Sequence, residues 1–427
     1  MRLTATRASV TSVSSASGPV FDGPALDLNF ASSLSLNDAV SGTNLITFTR
    51  ASSGTYVDAS GFIQTAAANT ARFDHDPVTN ESLGLLIEEE RTNLATYSEE
   101  LSSRLRWISS PTGDETANAT TAPDGLMTAD RIYGQDPSGI VFKYQNYTLT
   151  ANTAHTFSIH AKKSDSDWIA IRAFGFGASI DCYAWFNIAD GTTGSTSGGT
   201  PDSTSVVELS NGWYRCSLTI TLAADTTGLF QLVVPEGDGV TGYSAPTVGV
   251  FLWGAQLEAG AFMSSYIPTS GSTVTRSPDI ASITGTNFSS WYNQSEGTVF
   301  AEFQPYSATG SQQIAGFTAG TSNSSRWGIW NDQLFIDQSG TQYSASLSPS
   351  TSLTKTAFAV AGNDAIGCSN GTLTAQDTNV VLPAVDNFHV GRTSLGQNLY
   401  NGHIKRLAYY STRSTRKPDQ ELINLTT

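Results

Sequence analysis

Between Asn93 and Ser270 the chain repeats one pattern many times. The segments His155–Ala161 (HTFSIHA), Trp168–Phe174 (WIAIRAF), Ile180–Ile188 (IDCYAWFNI), Trp213–Ile220 (WYRCSLTI), Leu229–Val234 (LFQLVV) and Val248–Glu258 (VGVFLWGAQLE) are separated by stretches rich in Gly, Asp, Asn and Ser. Side chains on a strand point alternately to opposite faces, so a run that alternates apolar and mixed residues reads as a half-buried strand. Strands at this spacing, joined by turn residues, predict an antiparallel sandwich. A second series begins at Gly297 and includes TVFAEFQP, QQIAGFTA, RWGIW, QLFID, AFAVAG, NFHVGR and HIKRLAYY. Asn331-Asp332 predicts a two-residue hairpin turn between RWGIW and QLFID. The end of the chain predicts a last strand over Gly402–Tyr410 and then a short helix, with Pro418 in its first turn.

The length of 427 residues exceeds one ordinary core and predicts two or three domains. Only 14% of residues are charged, which suits turn-linked strands better than helices. The formal net charge of −15 repels phosphate backbones, so nucleic acid is not an expected partner, and an anionic surface is one only where a local site overcomes the repulsion. The three cysteines, Cys182, Cys216 and Cys368, make no disulfide framework. Cys182 and Cys216 can face each other on neighbouring strands, but buried reduced thiols in a protein assembled in the cytoplasm is the favoured reading. The N-terminal stretch has no apolar core of a signal peptide, and no run of ~18 apolar residues predicts a membrane span.

Residues 1–24 are Ser/Ala-rich and bounded by Gly18-Pro19 and Gly23-Pro24. Such a segment cannot order itself, so it is expected to be a flexible arm or a strand donated to a partner. Short alternating bursts (LDLNF, LITFT, GTYVD, GFIQT) follow, and Leu83–Ile87 reads as an apolar strand. Glu88, Glu89 and Glu90 come next. On a strand at most Glu88 and Glu90 share a face, with Arg91 at hand to neutralise charge, so a structural role is preferred to a metal or acid–base site. Thr273–Ser290 reads as a linker by composition. No fixed-period internal repeat is present.

The stretch Thr47–Tyr97, TFTRASSGTYVDASGFIQTAAANTARFDHDPVTNESLGLLIEEERTNLATY, resembles over its whole length a block that recurs in virion proteins of tailed bacteriophages. There it precedes β-rich, carbohydrate-module-like domains of fibre and head- or tail-attachment proteins. Trp107–Ala161 and Leu252–Thr269 resemble jelly-roll carbohydrate-binding modules, and the segment from Gly297 onward resembles the laminin-G or legume-lectin-like sandwich that closes many such proteins. The expected fold is therefore all-β: an N-terminal attachment region followed by two antiparallel β-sandwich domains. The expected divisions are an arm over 1–24, a phage-type β-region over 25–97, a jelly roll over 98–272 and a lectin-like sandwich over 273–427. The resemblance implies a structural virion protein, located in the virion, that attaches to other virion proteins by its N-terminus, forms a homo-oligomer (a trimer by analogy with phage fibres), and meets host-surface glycans. A decoration protein without ligand and a polysaccharide depolymerase are the alternatives. The related modules often carry a structural calcium held by carboxylates on the last strand. Here Trp253-Gly254 stands at that place and only Glu258 remains nearby, so no cofactor is expected.

No catalytic constellation emerges from the residues. Gly194–Gly198 has Thr where a nucleophile elbow needs Ser. Glu296 and Glu302 lack the spacing of a glucanase strand, so nothing promises the close carboxylate pair of a retaining glycosidase. His155 and His160 fall on opposite faces of one strand and do not make a metal site. No enzyme is expected. The second faces of the middle strands are more suggestive. Trp168 and Arg172, Tyr183 and Trp185, and Trp213 and Arg215 mix aromatic rings with guanidinium groups. Protein–protein or interdomain packing, a glycan groove and ordinary core are the three readings that remain open. Trp330, beside the hairpin turn, is a candidate of the same type.

Overall fold

The computed structural model describes residues 23–177, 181–245, 247–321, 323–413 and 418–427. Strand accounts for 49% of the chain and helix for 5%, so the protein is all-β. No helix among the described residues is long and apolar enough to cross a membrane. But for its last two residues, the arm expected over 1–24 lies outside the described residues.

Two antiparallel sandwiches make up the fold. The middle one is the jelly roll. One of its sheets has the strand order Ser203–Glu208, Trp213–Thr221, Ala154–Lys163, Gly249–Ala259, Ala129–Gly134, Gly113–Thr120. Its outer face looks toward the rest of the protein, and we call it the near sheet. The far sheet runs Thr192–Gly198, Asp181–Asn187, Trp168–Phe174, Thr226–Val234, Val141–Leu149, Ile108–Ser109. Alternation supplies the core between them: Phe157, Leu218 and Leu257 from the near sheet meet Ile171, Phe186 and Phe230 from the far sheet. The rings of Phe157 and Phe230 stack across the gap at 5.0 Å.

The second sandwich is built from both ends of the chain. Its seven-stranded sheet runs from Thr47–Thr49 through Ile280–Thr284, Asn387–Val390, Gln313–Thr318, Ser325–Trp330 and Gln333–Gln338 to Thr341–Ser346. In the eight-stranded sheet, Gly402–Tyr410 lies between Glu296–Pro305 on one side and Ser82–Ile87 with Leu26–Leu28 on the other. The segment 25–97, expected as a β-region of its own, thus contributes strands to the C-terminal sandwich. The reason is burial. Its strands are three to six residues long, too short to enclose a core alone. Leu26, Phe30, Ile46, Leu85 and Ile87 instead share one core with Phe317, Trp327 and Tyr409. Thr273–Ser290 is likewise no linker, since it holds the strands Val274–Arg276 and Ile280–Thr284 and a helical turn over Thr286–Ser289. Asn331-Asp332 does join two hairpin strands, and a terminal helix spans Pro418–Thr426. Leu422 of that helix packs on Phe300 and Tyr410.

The jelly roll is an insertion into this sandwich. The chain leaves through Arg91–Asn93 and returns through Val274–Arg276, and the two strands pair with each other in register Asn93↔Val274, Thr92↔Thr275, Arg91↔Arg276. Cys182 and Cys216 lie on the far and near sheets, not on neighbouring strands, which removes the alternative of a facing pair. Both are buried free thiols pointing into the shared core.

Beneath this two-stranded neck lies a buried charge network. The side chains of Arg50, Arg72, Glu88 and Asp279 are 0% exposed and that of Arg276 1%. Asp279 accepts from Arg50 at 3.0 Å and from Arg72. Glu88 accepts from Arg72 at 2.8 Å, from Arg276 at 3.0 Å, and from the N–H and hydroxyl of Ser265 at 2.7 Å each. Burial alone would raise the Glu88 carboxyl. Arg276, Arg72 and the Ser265 donors overcome that and hold it down at about 2. Three cations face two anions here, and backbone carbonyls of Ser52, Thr55, Ala67 and Glu89 accept further guanidinium donors, while the Nε of Arg72 and of Arg276 stay buried without a partner. Arg91, expected to neutralise charge in the acidic run, pairs with Glu89 at 2.6 Å, while Glu88 is served by Arg72 and Arg276.

Candidate functional site

Ile169, Ile171 and Ala173, Cys182, Ala184 and Phe186, and Cys216, Leu218 and Ile220, the phase opposite to the second faces, lie in the jelly-roll core. The outward residues do not form one surface, however. Trp168, Arg172, Tyr183 and Trp185 stand on the far sheet, whereas Trp213 and Arg215 stand on the near sheet, on the opposite side of the sandwich.

The far-sheet face is organised in cross-strand rows. Register places Tyr183, Arg172, Gln231 and Tyr144 side by side, and next to them Trp185, Ala170, Val233 and Phe142. The Tyr183 and Trp185 rings stack at 5.1 Å. The Arg172 guanidinium lies 4.1 Å over Phe174 and 4.8 Å over Tyr183. It donates to both oxygens of Asp181, at 2.7 and 2.9 Å, and to Gln231. The bonds to Asp181 raise the Arg172 pKa. Trp185 is held in place by its N–H, which donates to the Val240 carbonyl at 2.6 Å. Phe174 is 40% exposed, and Trp168, Tyr183, Phe142 and Tyr144 are half-buried. A platform of rings beside a fixed donor–acceptor pair can stack on one face of a sugar ring and bond its hydroxyls. Because Asp181 already neutralises Arg172, the site suits a neutral ligand better than an anion.

On the near sheet, Trp213 is 1% exposed and packs with Trp253, Tyr266 and Ile63. Its N–H donates to the Thr121 carbonyl at 3.1 Å. Arg215 donates to the Ser264 carbonyl at 2.7 Å and the Ser158 hydroxyl at 3.0 Å. Both residues are covered by other parts of the same chain, the hairpin that includes Ile63 and the loop that includes Ser264. Trp330 stands on the outer face of the seven-stranded sheet, buried, with Arg326 5.2 Å over its ring and Asp337 neutralising that arginine at 2.9 Å. It shares no surface with either group.

Glu258 is fully buried and its oxygens are occupied by donors: Gln256 at 2.7 Å, the Ser264 N–H at 2.9 Å and the Ser264 hydroxyl at 2.6 Å. Among the described residues, no three His, Cys, Asp or Glu side chains gather as a metal set. The sequence reading missed Phe142, Tyr144 and Gln231. The alternation of Val141–Leu149 carries the signal, but Lys143 falls in its inward phase. That lysine is 1% exposed and reaches Glu115 at 2.7 Å.

No protein-family model matches the sequence, and no curated protein matches it. Several solved structures show partial similarity. The Ruminococcus gnavus IT-sialidase CBM40 bound to alpha2,3 sialyllactose is 16% identical, with a TM-score of 0.28, over 32% of this chain and 84% of that one. Mouse laminin alpha1 chain domains LG4-5 are 9% identical, with a TM-score of 0.23, over 62% of this chain and 85% of that one. Trypanosoma rangeli sialidase is 10% identical, with a TM-score of 0.27, over 69% of this chain and 60% of that one. Values this low say nothing about ligand or reaction.

Proposed function

We propose that this chain is a structural attachment protein of a tailed-phage particle, whose jelly roll presents its far-sheet face to a neutral glycan of the host surface. The observation that carries the binding role is the half-buried Tyr183 ring, backed by the stacked Trp185, which is itself only 2% exposed, beside the Arg172–Asp181 pair. Leaving several large rings in contact with water is unfavourable, roughly 1.5–3 kcal/mol for each that a partner buries. The virion role rests on the resemblance of Thr47–Tyr97. It includes the expected attachment through the N-terminal region to other virion proteins and a homo-oligomer, a trimer by the same resemblance. Binding is preferred to hydrolysis because the candidate acids have structural partners. Glu296 accepts from the Arg413 N–H at 3.0 Å, and Glu302 stands opposite Lys355 and Arg406 in the sheet.

The test is a glycan array with the full chain and Tyr183→Ala. That ring is half-buried and outside the core, so the variant should fold. Binding to a neutral glycan that falls at least about tenfold in the variant supports the reading. Undiminished binding overturns it. If the change alters oligomeric state by light scattering and leaves glycan binding untouched, the face is a protomer interface. Mass spectrometry of purified particles checks the virion location.

A further inference from the structure

A cavity of about 470 Å³ lies between the near sheet and the second sandwich. Its size falls in the ordinary range for small-ligand sites, about 300–1,000 Å³. We propose that it binds a sugar ring bearing a carboxylate, with Arg215 as the anion-binding residue.

The first argument is charge. Arg215 is only 8% exposed, and its Nε has no hydrogen-bond partner. The two bonds it makes go to a carbonyl and a hydroxyl, and no carboxylate among the described residues hydrogen-bonds it. Its nearest acids act only through space, and both are engaged elsewhere: Glu258 with Ser264 and Gln256, Glu88 with Arg72 and Arg276. An arginine cannot discharge itself by losing its proton. The Glu258 and Glu88 charges offset part of the cost of shielding this guanidinium from water, but neither touches it, and an anion in the cavity would give it a direct partner.

The acids of the facing wall do not supply that anion. Asp74 accepts from His403 at 2.7 Å and from the Val57 N–H, and Asp76 caps the backbone of Val78 and Thr79. Arg215 is the only Lys or Arg among the described lining residues. One cation matches a singly charged carboxylate, and the planar guanidinium fork fits its two oxygens. A phosphate monoester would bring nearly twice the charge to the same single cation.

The second argument is the lining. The lining is mixed: Ile63, Leu83, Val207, Leu209 and Met263 are apolar, while the near-sheet side also carries Ser203, Ser205, Ser217 and Thr219, whose strands pair Ser203↔Thr219 and Ser205↔Ser217. Phe262 and Tyr306 stand among the other walls. Hydroxyls on one side and rings on the other suit the polar rim and apolar face of a pyranose.

The experiment is titration calorimetry of the full chain with glucuronate, glucose and inorganic phosphate. Glucuronate should bind, with glucose and phosphate each at least about tenfold weaker, as loss of a charge-assisted bond predicts. Arg215→Gln should weaken glucuronate by a similar factor. Because that variant also loses the bond to Ser264, a second variant, Ser205→Trp, fills the cavity from a half-buried edge strand and should abolish binding with the unfolding curve unchanged. Tyr183→Ala should leave glucuronate binding intact, which separates this site from the far-sheet face. No saturable heat with glucuronate, equal affinity for glucose or phosphate, or binding indifferent to both Arg215→Gln and Ser205→Trp overturns the proposal.

Discussion

Replacing Glu88 with Gln tests the buried network under the neck. The change keeps size and one acceptor for the Ser265 N–H but removes the charge shared by Arg72 and Arg276. Two routes give its magnitude. The Glu88 carboxyl is held at about 2 against an ordinary value of 4.5, and at about 1.4 kcal/mol per pH unit this corresponds to about 3 kcal/mol of stability at neutral pH. Breaking a buried pair by removing one partner costs about 3–5 kcal/mol by comparison with other proteins. Arg72 keeps Asp279 as a partner, and Arg276, though it loses its paired carboxylate, keeps its bonds to the Ser265 hydroxyl and the Glu89 carbonyl, so the lower end is expected. The pH dependence has a definite sign. A carboxyl depressed on folding stabilises fully above its unfolded value and loses that contribution as pH falls through the folded one. The wild type should therefore lose about 3 kcal/mol relative to Glu88→Gln between roughly pH 5 and pH 2. Urea unfolding followed by tryptophan fluorescence across that range measures both quantities. A variant within about 0.5 kcal/mol of wild type at pH 7, as for an ordinary surface change, would refute the reasoning.

Gly260 has φ +139°, and a Cβ there would lie 1.5 Å from the Arg91 guanidinium. Gly260→Ala should lower stability by about 2 kcal/mol or more in thermal unfolding, while Gly212→Ala, strained at φ +73° but meeting nothing within 4 Å, should cost less. Burial pushes the Cys216 thiol up strongly and the Cys182 thiol up to about 11. Neither should react with a thiol reagent until the chain unfolds, and prompt labelling of the native protein would contradict this. Excising 94–273 and joining Asn93 to Val274 through an Asn-Gly turn should leave a folded β-sandwich by circular dichroism. It should be less stable than the whole chain because Glu88 loses both Ser265 bonds.

Alternation made the jelly roll legible. The phases of Trp168–Phe174, Asp181–Asn187 and Trp213–Thr221 can be read without a structure, because burial on one face of a strand enforces a period of two. Which sheet each strand joins is not written in its period. Trp213 and Trp185 therefore read as members of one surface although the sandwich separates them. The second sandwich was legible only in part, because its first strands come from the opposite end of the chain. Leu26 pairs with Tyr409 and Ile87 with Gly402, and local pattern carries no record of such distances. Thr273–Ser290 looked like a linker because its strands are short and its polar residues numerous. Arg276 and Asp279 are polar for a reason that only the tertiary structure supplies.

That reason bears on the meaning of the Thr47–Tyr97 block. Its distinctive polar residues, Arg50, Arg72 and Glu88, point into the protein and meet Arg276 and Asp279 from the returning chain. They are a clasp rather than a reactive centre. An inserted domain connected only by two paired strands would be free to rock, since a two-stranded ribbon is a weak hinge. Here Ser265, from the loop that leaves the jelly roll, bonds Glu88 twice, and Arg276 reaches back to the Glu89 carbonyl. Thr55 and Ser210 add bonds across the same junction, to Tyr266 and Gly61. The clasp fixes the angle of the jelly roll while its far sheet remains turned away from the junction. On the function proposed above, that division would serve a face held at a set orientation: buried charge sets the direction, and the far sheet stays open.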